Sequence, residues 1–140
     1  MAEIDAGLRR LVASRAGYRC EYCLLSEDDS FSSHQIDHII GRKHGGGSGE
    51  LNLSFACLRC NAWKGSDIAS LDPRTRELTP LFNPRRHRWD DHFQLDGPII
   101  EPLSAEGRVT AKLLRLNIAE RVAERRLLIS FGRYTSARGS

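Results

Sequence analysis

Four cysteines stand in two pairs of identical spacing, Cys20-x2-Cys23 and Cys57-x2-Cys60. Two such pairs can present four thiolates in the tetrahedral arrangement that zinc prefers. Four unrelated buried cysteines, or a pair of redox sites, are the alternatives. The repeated spacing favours zinc, and because protein ligands would fill every coordination position, we predict a structural ion whose binding energy contributes to folding.

Three further residues able to do chemistry lie between the cysteine pairs or directly after them: Asp37, His38 and Asn61. Aspartate and asparagine offer hard oxygen ligands, which suit Mg²⁺ or Mn²⁺. Histidine titrates near neutral pH and is the natural general base. Together they would supply what hydrolysis of a phosphodiester needs, namely a cation that offsets developing charge and a base that activates water.

The neighbouring positions of Asp37 and His38 create a geometric difficulty, because successive side chains of a regular strand point to opposite faces. Both can serve one site only if the strand ends, bends or bulges there. The stretch from Gly41 to Glu50 holds five glycines and favours such an irregularity. Structural alternatives remain: Asp37 could cap the strand end, His38 could be an ordinary surface or core histidine, and Asn61 could cap a helix.

The middle of the sequence resembles the motif of the HNH endonuclease family. The matching parts, in order, are Ile36–Ile40, Gly45–Gly47, Asn52-Leu53 and Cys57–Gly65. The resemblance extends over about residues 20 to 66, and the flanking cysteine pairs resemble the zinc-stabilised branch of that family. It implies a ββα-metal (His-Me finger) core and hydrolysis of DNA phosphodiester bonds.

The same resemblance implies roles for individual residues. Asp37 and Asn61 would bind the catalytic divalent ion, and His38 would activate water. Asn52 would act by position, pinning the loop and so helping to orient His38. Asn61 stands where the family name has histidine, an HNN variant, and an oxygen ligand there favours Mg²⁺ or Mn²⁺.

Basic side chains near the motif are candidate contacts with the DNA backbone. The net charge of +3 and the isoelectric point near 8.8 permit a nucleic-acid partner without demonstrating one. A run of charges is more often simply a solvated surface. The predicted contacts are Lys64, Arg42, Lys43, Arg85, Arg86 and Arg88.

Periodicity and turn residues predict the elements that must position these groups. The expected elements are a helix over Ile4–Ala16, strands over His34–Ile40 and Leu51–Ala56, a helix over Asn61–Ala69, a hairpin over Asp90–Ile100 that turns at Asp96-Gly97-Pro98, and a helix over Ser104–Leu116. Pro73, Pro80 and Pro84 indicate an irregular connector. Asn117 is predicted to cap a last helix, with Glu120 completing a capping box.

The fold class expected from this order is α+β, with a zinc-bound ββα-metal core, an N-terminal helix and a C-terminal helical extension. Residues 1–70 would form the nuclease core and residues 71–140 an extension packed on it. A chain of 140 residues suits one compact unit. Its 40% hydrophobic and 28% charged residues are an ordinary globular balance, so disorder is not expected.

Composition also limits location and partners. No apolar run is long enough to span a bilayer, and the first residues lack the pattern of a signal peptide. We therefore expect a cytoplasmic protein without a membrane partner, whose cysteines stay reduced. A single site would attack one strand at a time, so a monomer or a homodimer is expected.

Two other classes of function remain open beside a metal-dependent DNA endonuclease. The chain could be a zinc-ribbon module that binds nucleic acid without cutting it, or an interaction protein built on a decayed nuclease fold. Asp37, His38 and Asn61 together favour the enzyme, because a binding module has no need of all three.

Overall fold

Helices and short antiparallel strands alternate along the chain in the computed structural model, which describes residues 4–134. The helices are α1 (Ala6–Arg15), α2 (Leu58–Lys64), α3 (Trp89–His92), α4 (Ala105–Leu113) and α5 (Ala119–Ser130). The strands are β1 (Gln35–His38), β2 (Leu53–Ala56), β3 (Ala69–Leu71), β4 (Leu78–Pro80), β5 (Phe93–Asp96) and β6 (Ile99–Pro102). The predicted α+β class is confirmed. The outermost residues of the predicted core and extension, 1–3 and 135–140, lie outside the described part.

A hairpin followed by a helix forms the centre of the first half. Strands β1 and β2 pair antiparallel, with Asp37 opposite Ser54 and His38 opposite Leu53. The next residue after β2, Cys57, caps α2, because its sulfur accepts a hydrogen bond from the backbone N–H of Cys60. Helix α2 packs against β1. This β1-β2-α2 unit is the ββα arrangement that the sequence predicted.

Helix α1 covers the opposite side of the hairpin. Asp5 caps it by accepting a hydrogen bond from the N–H of Leu8 at 2.8 Å. Its buried Val12 packs with Leu53 and Phe55 of β2 in a small apolar cluster. The N-terminal helix thus holds the strand that carries the residues opposite Asp37 and His38.

A larger apolar core unites the two halves of the chain. From the first half it includes all four cysteines together with Tyr22, Leu24 and Ala56. From the second half it includes Phe82, Trp89, Phe93, Ile100, Leu114, Leu116 and Tyr134. The cysteine cluster therefore lies inside a core to which both halves contribute. The division into two parts at residue 70 stays a prediction.

Helix α2 has different bounds from the predicted Asn61–Ala69. It begins earlier because the Cys57 side chain supplies the cap. It ends at Lys64 because Gly65 follows with a φ of 53°, a positive value that glycine adopts readily and that does not continue the helix. Ala69 belongs instead to β3.

The predicted irregular connector contains a hairpin, β3-β4, that the sequence analysis missed. Asp72 closes its turn by accepting hydrogen bonds from the N–H of Arg74 and the hydroxyl of Thr75. Arg108 of α4 donates to both oxygens of the same carboxylate, at 2.9 and 2.8 Å. The proline signal concealed this hairpin, because Pro80 stands in β4, and each strand of a two-stranded sheet is an edge strand, where proline is tolerated.

The start of α5 differs from the prediction as well. Ile118 is its N-cap and makes no side-chain hydrogen bond, so the capping box predicted for Asn117 and Glu120 is wrong. The Asn117 side chain instead accepts a hydrogen bond from the N–H of Ile100 at 2.9 Å and donates to its carbonyl at 2.7 Å. Asn117 therefore bonds the backbone of a distant strand, β6, and does not cap its own helix. In the described part of the chain no helix is long and apolar enough to span a membrane.

Candidate active site and metal centre

The four cysteines lie together, as their spacing predicted. Their sulfur atoms are all within 4.8 Å of one another, and all four residues are buried. Zn–S bonds of about 2.3 Å in a tetrahedron place sulfurs about 3.8 Å apart. The Sγ atoms of Cys23 and Cys57 are 3.6 Å apart. The geometry and the donor set therefore fit zinc, and the closed set of ligands indicates a structural ion.

Backbone hydrogen bonds to sulfur hold each cysteine pair as a tight turn. The N–H of Cys23 donates to Cys20 Sγ, and the N–H of Cys60 donates to Cys57 Sγ, each at 3.4 Å. Burial raises the pKa of the Cys20 and Cys60 thiols, whereas hydrogen bonds from neighbouring thiols lower the pKa of Cys23. The thiols of this cluster therefore do not ionise equally. A divalent ion would replace the protons that remain.

The first cysteine pair also presents a residue to the candidate active site. Tyr22, between Cys20 and Cys23, donates its hydroxyl to Asp37 Oδ2 at 3.0 Å. The hydroxyl of Ser54, opposite Asp37 in the hairpin, donates to the same oxygen at 3.1 Å. The sequence analysis missed both residues. Their signals were a tyrosine inside a CxxC turn and a serine opposite Asp37, which only the strand register reveals.

Lys64 lies in the interior beside Asp37, with 1% of its surface exposed. Its ammonium donates to Asp37 Oδ1 at 3.2 Å and to the carbonyls of His38 at 3.1 Å and Ile39 at 3.2 Å. A buried ammonium with three oxygen partners is engaged within the protein, so these contacts do not favour the DNA contact predicted for Lys64, which stays a prediction. Lys64 joins α2 to the end of β1.

The environment of Asp37 combines burial with compensating contacts. The residue is 4% exposed. Burial raises the pKa of its carboxyl, while the Lys64 charge and the hydrogen bonds from Tyr22, Lys64 and Ser54 act in the opposite direction. Because Oδ1 accepts only the Lys64 hydrogen bond among the contacts found in the described part, it retains a lone pair for a further cation.

His38 ends β1 and is half-buried. Its Nε2 lies 3.0 Å from the hydroxyl of Ser48, which also accepts a hydrogen bond from Arg42 Nη2 at 3.3 Å. Strand β1 ends at His38. An end of the strand at this point is one of the conditions under which Asp37 and His38 could serve the same site. Ser48 is a third residue that the sequence analysis missed, since a serine in a glycine-rich loop carries no distinctive signal.

Asn52 fastens the glycine-rich loop to the end of the strand. Its Oδ1 accepts a hydrogen bond from the N–H of Ile40 at 2.9 Å, and its Nδ2 donates to the carbonyls of Ile40 at 2.9 Å and Gly47 at 2.7 Å. A Cβ on Gly46 would lie 1.7 Å from the Ile40 carbonyl oxygen, so only glycine fits there. These contacts support the positioning role predicted for Asn52.

Asn61 lies on α2 three residues before Lys64 and is half-buried. Positions three apart share a helix face, and Lys64 on this face contacts Asp37. The face of α2 that carries Asn61 is therefore the face turned towards β1. Ligation of a divalent ion by Asn61 stays a prediction.

Two of the predicted DNA contacts are exposed on the loop next to His38. Arg42 and Lys43 belong to a short 3-10 helix, Arg42–His44, that begins four residues after His38, the last residue of β1. Their position puts positive charge beside the imidazole. This placement is compatible with contacts to a phosphate backbone.

The predicted run of Arg85, Arg86 and Arg88 does not form one basic surface. Arg86 is exposed and lines a cleft of about 290 Å³ together with Ile39 and Lys64. Arg88 is exposed at a separate cleft. Arg85 lines the same cleft as Arg88 but is mostly buried and ion-paired with Glu21, so its predicted contact with DNA stays a prediction.

Comparison with known proteins agrees with this arrangement over the first half of the chain. Residues 20–67 match the model of the HNH endonuclease family. That segment contains both cysteine pairs, the β1-β2 hairpin and α2. No curated protein and no solved structure matches the chain. Residues 20–67 are therefore similar to an HNH endonuclease domain, and the four clustered cysteines of this segment form a candidate zinc site.

Proposed function

We propose that the protein is a metal-dependent endonuclease that hydrolyses DNA phosphodiester bonds, with His38 as the general base. The observation that carries this proposal is the position of His38. It ends β1 half-exposed, while its neighbour Asp37 is buried under Tyr22, Ser54 and Lys64. His38 is therefore accessible to substrate and water, while the adjacent Asp37 is held in place by its hydrogen bonds.

The contact with Ser48 offers a way to select the nitrogen of His38 that accepts the proton. In the tautomer that this mechanism uses, Nε2 donates its hydrogen to the Ser48 hydroxyl oxygen, 3.0 Å away, and the lone pair resides on Nδ1. Nδ1 takes the proton from the attacking water as the water oxygen bonds to phosphorus. The bond between phosphorus and the leaving sugar oxygen breaks, and that oxygen takes a proton from solvent water. Lys64 supports this geometry, because it fixes the His38 carbonyl at 3.1 Å.

Asp37 and Asn61 are the residues that would hold the catalytic Mg²⁺ or Mn²⁺. The position next to Asp37 Oδ1 already attracts one cation, the Lys64 ammonium, and three oxygens surround that ammonium. Carboxylate and amide oxygens suit these divalent ions. When bound, the ion would offset negative charge on the phosphate and on the leaving oxygen.

Exposed basic residues around this site support DNA as the substrate. Arg42 and Lys43 lie on the loop after His38, and Arg86 lines the cleft that reaches Ile39. Arg88 is a more distant candidate at its own cleft. A single site of this kind cleaves one strand at a time, so a monomer would nick DNA and a homodimer could cut both strands.

One observation favours the second candidate, a nucleic-acid-binding module without catalysis. Asp37 is almost completely buried and accepts three hydrogen bonds from protein side chains. A carboxylate in such surroundings can also serve the fold alone. The two candidate functions predict different results for loss of His38. An endonuclease would lose cleavage while it still binds DNA, whereas a binding module has no cleavage to lose.

Relaxation of supercoiled plasmid by the zinc-loaded protein distinguishes the candidates. The assay compares added Mg²⁺, Mn²⁺ and EDTA for the wild type, His38→Ala and a matched control, His92→Ala. His92 is also half-buried and also lies against a serine hydroxyl, with 2.6 Å between its Nδ1 and Ser104 Oγ. We expect metal-dependent nicking that falls about 10²- to 10⁴-fold in His38→Ala and remains in His92→Ala.

Binding of the same DNA, measured by fluorescence anisotropy, completes the test. His38→Ala should bind about as well as wild type, because a general base contributes little to ground-state affinity. A folded wild type that binds DNA but nicks none with either metal would overturn the enzyme proposal and support the binding module. Equal loss of nicking in the two variants would remove His38 from the role of base.

A further inference from the structure

A buried arginine from the second half of the chain lies against the cysteine cluster. Arg121 of α5 is 2% exposed. Its Nη2 donates to Cys60 Sγ at 3.2 Å and to Cys57 Sγ at 3.8 Å. Both acceptors belong to the second cysteine pair, which lies at the start of α2.

The charge of an occupied cluster explains why a cation belongs there. Four thiolates around one divalent ion leave a net charge of about −2. All four cysteines are buried, so water does not screen that charge. Among the described residues, Arg121 supplies the guanidinium that donates to these sulfurs.

Contacts with three other residues fix the guanidinium in place. Nη1 donates to the carbonyls of Leu114 at 2.8 Å and Arg115 at 3.4 Å, which follow α4. The guanidinium carbon lies 5.5 Å from the centre of the Trp63 ring on α2. The guanidinium is therefore already in position before any ion binds, and the further loss of conformational entropy on binding is small.

We propose that Arg121 is an outer-shell partner of the zinc centre, which neutralises the thiolates and slows release of the ion. This proposal rests on zinc occupying the four-cysteine cluster and is independent of catalysis. It gives the C-terminal part of the chain a defined task in the metal centre of the HNH domain. Hydrogen bonds to a coordinating sulfur lower its donor strength and disfavour its protonation, which is a step in metal loss.

Zinc release measures this task directly. The zinc-loaded full chain is mixed with excess pyridylazoresorcinol, and formation of the coloured complex is followed for the wild type, Arg121→Met and Arg125→Met. Arg125 is the matched control. It is also buried on α5 and also donates to carbonyls, those of Pro98 and Leu116, but not to sulfur.

We expect release to be about 10- to 100-fold faster in Arg121→Met than in Arg125→Met. A second readout is the sulfur-to-metal charge-transfer band of the Co²⁺-substituted protein. It should move to lower energy in Arg121→Met, because thiolates without the hydrogen bond are stronger donors, and it should stay unmoved in Arg125→Met. Equal release rates in the two variants together with an unmoved band in both would overturn the proposal.

A conservative pair keeps the test decisive if Arg121→Met fails to fold. Arg121→Lys keeps the charge but loses the planar group whose Nη2 donates to both sulfurs while Nη1 donates to carbonyls. It should release zinc faster than Arg125→Lys and shift the cobalt band. Release no faster than in Arg125→Lys, with the band in place, would contradict a role in the metal centre.

Discussion

Two buried anionic centres, each with its own buried cation, lie within the first half of the chain. The cysteine cluster has Arg121, and Asp37 has Lys64. The cation of the cysteine cluster comes from α5, far along the sequence, whereas Lys64 lies within the segment that matches the HNH model. The cysteine cluster thus receives its cation from outside that segment, and Asp37 receives its cation from inside it.

The two centres also differ in how far residues from the second half of the chain enclose them. Around the first cysteine pair, the indole N–H of Trp89 donates to the Tyr22 carbonyl at 2.9 Å, and the Tyr134 hydroxyl donates to the Cys23 carbonyl at 2.7 Å. Asp37, in contrast, borders the half-exposed His38. The enclosed cysteine cluster suits a structural ion, whose ligands all come from the protein. A catalytic site needs access for substrate, and the half-exposed His38 beside Asp37 offers it.

Loss of the cysteine cluster should have the largest effect of all. In the double variant Cys57→Ser/Cys60→Ser we expect no bound zinc and loss of cooperative folding. Structural zinc contributes about 10 kcal/mol or more to small domains, and here the cluster lies in the shared core. Zinc content by atomic absorption and urea unfolding by circular dichroism measure both effects. Wild type stripped by chelator should match the variant, and a cooperative transition in the stripped protein would show that the fold does not depend on zinc.

Lys64→Met tests the second centre. Removing one partner of a buried ion pair costs about 3–5 kcal/mol, and here the loss leaves Asp37 4% exposed and without its cation. If Asp37 is a metal ligand, Mn²⁺ should raise the melting temperature of this variant more than that of wild type. Calorimetry with and without Mn²⁺ measures the shift.

The double variant Asp37→Asn/Lys64→Met is the control for that experiment. With both charges removed it should be less destabilised than Lys64→Met, since no unpaired carboxylate remains. It should also respond less to Mn²⁺. An equal response of the two variants would place the manganese site elsewhere and remove Asp37 from the proposed ligands.

The two centres also differ in how far the sequence could predict them. Cysteine spacing alone predicted the cluster, because two CxxC turns impose nearly the whole geometry. It could not predict Arg121, whose approach depends on how α5 packs. Tyr22 and Ser54 were missed because their approach to Asp37 depends on the register of the hairpin and the fold of the first turn.

The polar contacts that the sequence analysis did not predict have a common physical cause. In the local sequence Lys64 and Arg85 resemble surface charges, but each pairs with a carboxylate from a distant segment, Asp37 and Glu21. Asn117 likewise bonds a distant strand rather than its own helix. Local rules predict elements, whereas the partner of a polar side chain is decided by tertiary packing.

Ser48→Ala separates positioning of His38 from the fold. We expect kcat for nicking to fall about tenfold with KM nearly unchanged, because the imidazole loses the hydrogen bond that selects its proton-accepting nitrogen. Unfolding should change by less than about 1 kcal/mol. Ser104→Ala, which removes the partner of His92, is the matched control and should retain kcat. An unchanged kcat in Ser48→Ala would leave His38 oriented by other contacts.

Asp72 provides an internal reference, because it is a buried carboxylate with a cationic partner but no proposed chemistry. Hydrogen bonds from Arg108 hold the pKa of Asp72 well below its usual value near 3.9. The stabilisation is therefore complete above that unfolded-state value and is lost as the pH falls below it. Urea unfolding from pH 7 to pH 2 should show wild type losing stability more steeply than Asp72→Asn, with the two converging at the acid end. Parallel curves would mean that the charge of Asp72 in its pair with Arg108 does not contribute to stability. The same pH titration would then be needed for the Asp37–Lys64 pair.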